Sequence, residues 1–169
     1  TGTTRGRYDT LGSFGNGGDG SIAISPDLNC QTTDGAASID LNGTDPDCFA
    51  TNLTAAATAG INTITVADTS GFEVGDAAIV TQMNGTGAGN YDLVVIKTIP
   101  SSTSLVFDQT LKRSYQSTNA QVVRIPQYTD VTLTNSGTDL TVNPWNNTVG
   151  GVLFIKVSGT LTLNSGTTI

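Results

Sequence analysis

Apolar and polar residues alternate with a period of two along most of the chain, which is the spacing of a half-buried β-strand. Turn-forming dipeptides such as Ser70-Gly71 and Asn84-Gly85 separate the alternating stretches. No window keeps apolar residues at helical spacing for three turns. The pattern therefore predicts an all-β protein of about a dozen short strands, folded as a β-barrel or β-sandwich. The predicted strands are Ser21–Ser25, Ala37–Leu41, Asn62–Val66, Asp76–Met83, Tyr91–Ile99, Ser104–Phe107, Ala120–Ile125, Thr129–Thr134, Asp139–Val142, Gly151–Val157, Thr160–Leu163 and Thr167–Ile169.

Two runs, Leu93–Ile96 and Val152–Ile155, are apolar at every position. Such runs are typical of central strands that are covered on both faces. Lys156 has the same parity as Val152 and Phe154, which predicts that its ammonium group points inward. Because an unpaired buried charge is costly, we expect an ion pair, a side chain that reaches an edge, or an isopeptide cross-link to Asn or Asp.

The first twenty residues differ from the rest and form a predicted extended segment, which precedes a single all-β domain over residues 21–169. Seven of the twenty are glycine, a density that works against independent folding. Aromatic residues share one parity of this segment and charged residues the other. We interpret it as a strand that pairs with a sheet of a neighbouring subunit, and a frayed tail is the alternative. The predicted subunit contacts are Tyr8, Thr10, Leu11 and Phe14.

The composition excludes several functions. The chain has no His, which removes imidazole catalysis and His-ligated zinc. Seven basic residues stand against 14 acidic ones, for a net charge of −7, so neither nucleic acid nor an anionic membrane surface is expected as a partner. No stretch is long and apolar enough to span a bilayer. We expect no enzymatic activity and no cofactor.

The two cysteines, Cys30 and Cys48, are interpreted as one disulfide, with two buried thiols as the alternative. Closing this loop would stabilise the fold by about 3 kcal/mol on a chain-entropy model. A disulfide favours an oxidising, extracellular location.

Two further sites are candidates for binding. Asp40, Asn42, Asp45 and Asp47 place oxygen donors at close spacing, as a calcium ion requires, but turns also favour Asp and Asn for their own backbone hydrogen bonds. Trp145 lies in a predicted loop, where it serves either as a glycan platform or as a ring that caps the core.

The stretch from Ile64 to Asp76, with its Phe72-Glu-Val-Gly-Asp76 turn, resembles the entry of small β modules in secreted bacterial surface proteins. The later stretches Ala120–Thr129 and Gly150–Leu163 continue the resemblance, which covers about residues 61–169. Proteins of this adhesin-like type run on into Gly-rich parallel β-helices. The resemblance therefore implies β-helix character at the C-terminal end and a secreted, cell-surface location.

These observations predict an extracellular structural subunit of a surface filament or adhesive fibre, which assembles head to tail by β-strand donation. The expected partners are further copies of the chain and surface glycans. The alternative is a secreted carbohydrate-binding or carbohydrate-cleaving module that uses Trp145, Tyr91 and Tyr128 with nearby Asp residues.

Overall fold

The computed structural model describes residues 39–40, 49–133, 142–163 and 165. All regular structure in these residues is β-strand, which confirms the predicted all-β class. The same residues contain no helix, and so none that is long and apolar enough to cross a membrane. The strands are β1 (Ile39–Asp40), β2 (Ala50–Asn52), β3 (Thr63–Thr65), β4 (Ala77–Gln82), β5 (Tyr91–Ser101), β6 (Ser104–Phe107), β7 (Ala120–Arg124), β8 (Gln127–Tyr128), β9 (Val131–Leu133), β10 (Lys156–Val157) and β11 (Leu161–Leu163).

The chain divides into two compact units, which are described separately. One comprises residues 49–124 and 144–151, and we call it the antiparallel unit. The other comprises, among the described residues, 39–40, 125–133, 142–143, 152–163 and 165, and we call it the coil unit. Residues 1–20 lie outside the described residues, so the predicted division into an N-terminal segment and one domain stays a prediction.

The antiparallel unit contains a six-stranded sheet in the order β2-β7-β4-β5-β6-β3. Each neighbouring pair is antiparallel, and β5 and β6 are joined by a tight turn at Ser102 and Thr103. Alternate residues of the strands point into one apolar core, since successive side chains of a strand lie on opposite faces. The largest apolar side chains that are fully buried in this core are Leu53, Ile96, Leu105, Phe107 and Leu111, each at most 1% exposed.

The coil unit is built from parallel strands. The strand β8 pairs with β10, and β9 pairs with β11. Paired residues are 29 residues apart in the sequence for β8 and β10, and 30 apart for β9 and β11. On its other side β9 pairs with β1, again in parallel. Tyr128, Val131 and Leu133 form the core of this unit. This arrangement of stacked parallel coils is the β-helix character that we predicted for the C-terminal end.

The structure corrects the prediction for the two fully apolar runs. The run Leu93–Ile96 lies in β5, which is central in the sheet, but only one of its faces is covered: Leu93 is 45% exposed and Val94 is 3% exposed. The run Val152–Ile155 forms no strand, and only Lys156–Val157 of the predicted strand Gly151–Val157 is β-structure. The consecutive glycines Gly150 and Gly151, with φ of 104° and 73°, interrupt an extended chain there.

Candidate functional site

The coil unit exposes an apolar strand edge at β11. Leu161 and Leu163 lie directly beside Val131 and Leu133 of β9. The two β9 residues are buried, at 0% and 1% exposure, whereas the two leucines of β11 are 43% and 51% exposed. Among the described residues, no strand pairs with the other edge of β11. Within the part of the chain that the structure describes, the coil that covers β9 is therefore itself uncovered.

A tight stack of two turns sets the position of β11. The amide of Gly159 donates to the carbonyl of Thr129 at 2.7 Å, and the amide of Thr160 donates to Oδ1 of Asp130 at 2.8 Å. A side chain at position 159 would place its Cβ 2.7 Å from the Thr129 carbonyl oxygen. Glycine is therefore needed here because the turns of successive coils approach each other at backbone distance.

The predicted inward orientation of Lys156 is wrong. Lys156 is exposed, and its neighbours Ile155 and Val157 are the residues that pack against the coil core. The parity was misjudged because the run that precedes Lys156 is not a continuous strand. An exposed ammonium group needs no buried partner, so the reason for expecting an isopeptide bond is removed.

The antiparallel unit carries an open groove of about 460 Å³. Tyr115 and Ala57 form its floor, where their main chains exchange hydrogen bonds of 2.9 and 2.7 Å. The walls are the loops at residues 84–90 and 111–119. Most side chains on these walls carry a hydroxyl or an amide, and they include Thr86, Asn90, Ser114, Gln116 and Thr118; Thr58, next to Ala57, adds a further hydroxyl.

The buried amide of Gln82 holds the two walls together. Its Nε2 donates to the carbonyls of Asn84 and Thr118, at 2.7 and 2.8 Å, and its Oε1 accepts from the amide of Gln116 at 2.8 Å. Gln82 is 1% exposed. The Gln82 side chain therefore holds the two loops in a fixed position relative to each other. The polar sequence of these loops does not reveal this contact.

Asp92 anchors the floor of the groove from beneath. Its Oδ2 accepts from the amides of Lys112 and Arg113, both at 3.1 Å, and from the hydroxyl of Tyr115 at 2.8 Å. Burial raises the pKa of Tyr115 far above its ordinary value, and the neighbouring Asp92 carboxylate raises it further. The raised pKa favours the protonated hydroxyl, which donates to Asp92.

Tyr91, one of the three aromatic residues proposed for glycan contact, is 51% exposed next to the groove residue Asn90. The guanidinium of Arg113 lies 5.4 Å from the centre of its ring and donates to its carbonyl at 2.8 Å. Trp145 is half-buried near Gly151 and is not among the residues that line the groove. Tyr128 is fully buried in the core of the coil unit, so its predicted contact with glycan is wrong.

The remaining predicted site residues fall outside what the structure describes. These are the disulfide pair Cys30 and Cys48, the subunit contacts Tyr8, Thr10, Leu11 and Phe14, and the calcium candidates Asn42, Asp45 and Asp47. Only the backbone of Asp40, the fourth calcium candidate, is described, and it pairs with Thr132 in β9. The disulfide, the subunit contacts and the calcium site stay predictions.

A buried ion pair in the antiparallel unit was missed at the sequence level. Nε of Arg124 lies 3.2 Å from Oδ2 of Asp76, and the two side chains are 2% and 6% exposed. The same carboxylate oxygen accepts from the amide of Glu73 at 2.7 Å, which closes the turn that follows Phe72. The Phe-x-x-Gly-Asp pattern is therefore a structural turn whose aspartate holds an arginine of β7.

No protein-family model matches the chain, and none of the curated proteins matches it. Three solved phage tailspikes are similar to part of it. The Gp54 tailspike of Acinetobacter baumannii bacteriophage AP22, solved in complex with A. baumannii capsular saccharide, is 13% identical with a TM-score of 0.37, over 67% of this chain and 22% of that chain.

The tailspike gp61 of Pseudomonas phage phi297 is 13% identical with a TM-score of 0.39, over 66% of this chain and 20% of that chain. The tailspike gp49 of Pseudomonas phage LKA1 is 14% identical with a TM-score of 0.38, over 68% and 20%. This chain thus spans about a fifth of each tailspike's length. At TM-scores this low, the similarity carries no conclusion about ligand or activity.

Proposed function

We propose that this chain is an extracellular structural subunit of a surface filament, in which β11 of one subunit pairs with a strand donated by a second copy. One observation carries the proposal. Leu161 and Leu163 are exposed on β11, whereas their register partners Val131 and Leu133 are buried beneath them. A further strand that pairs with β11 would bury Leu161 and Leu163 in the same way that β11 buries Val131 and Leu133.

The main chain of β11 supports the same contact. The carbonyl of Thr160 accepts from the amide of Val131 at 2.9 Å, so the peptide groups of Thr160 point toward β9. Because these groups alternate sides along a strand, those of Leu161 and Leu163 point away from β9. A row of unpaired peptide groups beside apolar side chains is a template for a further strand.

The proposed donor is the N-terminal segment, residues 3–14. Its glycines leave it little capacity to fold alone, whereas pairing with a sheet edge would satisfy its peptide groups. Tyr8, Thr10 and Phe14 would lie on the side of the leucines, and Leu11, which has the other parity, would lie on the opposite face of the donated strand. Because donor and acceptor are different surfaces, the contact is head to tail, and subunits add without limit where the rotation between them does not close a ring.

The chemistry of the described carboxylates supports a non-enzymatic role. Four aspartates serve as acceptors within the fold: Asp68 accepts from the amide of Ser70, Asp76 pairs with Arg124, Asp92 accepts from Tyr115, and Asp130 accepts from the amide of Thr160. Charged residues make up only 12% of the chain, about half the usual fraction, which reduces repulsion between packed subunits.

The test introduces lysine at the acceptor edge in one variant and elsewhere on the coil unit in another. L161K/L163K should remain folded but form no filaments, because two ammonium groups would have to be buried at the contact. The matched control is L153K, which changes a residue of the same unit that is 39% exposed and lies outside β11. Deletion of residues 1–14 should likewise give a folded monomer. Filaments of normal length from either the edge variant or the deletion would overturn the proposal.

A further inference from the structure

The groove of the antiparallel unit combines apolar surface, from residues such as Ala56, Ala57 and Tyr115, with uncharged polar side chains. Thr58, Thr86, Ser114 and Thr118 supply hydroxyls, and Asn90 and Gln116 supply amides. Each hydroxyl both donates and accepts hydrogen bonds, and each amide provides both functions side by side. None of the residues that line the groove is charged. A ligand that matches this lining would carry hydroxyl groups and no charge that must be neutralised.

We propose that this groove binds a neutral oligosaccharide. Sugar hydroxyls act as donor and acceptor at once, which matches the dual capacity of the lining. A phosphate or sulfate ligand would call for Lys or Arg in the lining, and the chain as a whole has a net charge of −7. A volume of about 460 Å³ lies within the range of small-molecule sites.

The groove is preorganised, since contacts within the protein hold its walls and floor in place. Gln82 joins its walls through three hydrogen bonds, and Asp92 fixes its floor through the hydroxyl of Tyr115 and two main-chain amides. The loop of one wall turns on Gly85, Gly87 and Gly89, all at φ between 83° and 87°, where other residues are strained. Because the loops are already ordered, a ligand does not have to supply the free energy of ordering them.

Asn90 and Gln116 are partly engaged in holding the walls, which leaves the threonine hydroxyls as contacts for ligand. Oε1 of Gln116 accepts from the amide of Thr86 at 3.1 Å, and Nδ2 of Asn90 donates to the carbonyl of Ser114 at 3.3 Å. The side chains of Thr86 and Thr118 are exposed, one on each wall. Replacing both by valine removes two hydroxyls and preserves shape.

The experiment measures binding of free maltotetraose, cellotetraose, mannotetraose and chitotetraose to the whole chain by NMR titration. At least one should bind saturably, and T86V/T118V should weaken that binding at least about tenfold, since each lost hydrogen bond contributes about 1 kcal/mol. The control T63V/T98V changes two exposed strand threonines outside the groove and should leave the affinity unchanged.

Three results would overturn the proposal: no saturable binding to any of the four sugars, equal weakening by the groove variant and its control, or binding that is confined to a sulfated oligosaccharide such as heparin tetrasaccharide. The last result would assign recognition to exposed cations such as Arg113. Because the groove lies in a different unit from β11, L161K/L163K should bind the sugar normally. The two proposals therefore fail or succeed independently.

Discussion

Leu161 of β11 lies directly beside Val131 of the adjacent parallel strand β9, which precedes it by 30 residues in the sequence. Val131 is nevertheless fully buried, whereas Leu161 is 43% exposed. The same contrast holds for Leu133 and Leu163. In stacked coils each strand is covered by the next, and among the described residues no strand covers β11. This difference in exposure makes β11 the proposed acceptor edge.

The spacing between coils should be sensitive to a single methyl group at Gly159. G159A should lower the free energy of unfolding of the coil unit by about 2–3 kcal/mol, because the new Cβ collides with the Thr129 carbonyl across the stacked turns. Urea unfolding measures the loss. The control is G60A, where a Cβ meets no atom within 4 Å but the φ of 94° is strained, so a loss of only about 1 kcal/mol is expected. Equal losses would show that the stacked turns can separate without cost.

The buried ion pair should dominate the electrostatic stability of the antiparallel unit. R124M should destabilise this unit by about 3–5 kcal/mol, because it leaves the Asp76 carboxylate buried without its cation. The double variant D76N/R124M should lose less than the sum of the two single variants. R113M is the matched control: this exposed guanidinium lies 3.9 Å from Asp92 and should cost under about 1 kcal/mol. Comparable losses of stability for R124M and R113M would contradict a dominant role for the buried ion pair.

Stability should fall at alkaline pH through Tyr115. The pKa of this hydroxyl is raised in the folded state, so the stability that it provides is fully present below its ordinary pKa of about 10. Above that pH the unfolded chain releases a proton that the folded chain retains, and the free energy of unfolding decreases.

The variant Y115F isolates this effect. At neutral pH it should lose about 1–2 kcal/mol with the hydrogen bond to Asp92, and its stability should decline less between pH 9 and pH 11 than that of the unaltered chain. Urea unfolding across this range measures both effects. Parallel pH profiles for the two proteins would show that Tyr115 ionises as readily in the folded state as in the unfolded one.

A further prediction concerns the redox state of Cys30 and Cys48, which lie outside the described residues. If the chain is extracellular, the two thiols should be joined in one disulfide. Intact mass after alkylation under denaturing conditions without reductant should show no added alkyl group, and two should be added after reduction. Uptake of two groups without reductant would contradict the predicted disulfide.

Much of the antiparallel sheet could be predicted because its strands alternate and end at turn residues. Ser104–Phe107 was predicted with its observed bounds, and Asp76–Met83 contains β4 with one extra residue at each end. Two short strands were missed. Ala50–Asn52 is only three residues long and contains residues with low β-propensity, so its pairing with β7 rather than its own pattern makes it a strand. Gln127–Tyr128 follows a proline and has only two residues.

The sequence could not predict which polar residues are buried. Gln82, Gln121 and Arg124 are each at most 2% exposed, although their side-chain types favour the surface. Gln121 is buried because its amide exchanges hydrogen bonds of 2.8 and 2.9 Å with the main chain of Gly150. Each of these side chains contacts a residue distant in the sequence, and only the fold determines such a contact. The groove was missed for the same reason, since Gln82 brings its two walls together.

Electron cryo-microscopy of the unaltered chain at increasing concentration tests the central claim most directly. The account predicts helical filaments in which density for a donated strand runs alongside β11, about 4.8 Å away, and covers Leu161 and Leu163. Particles that stay monodisperse at every concentration, or filaments whose contacts leave β11 in solvent, would contradict it.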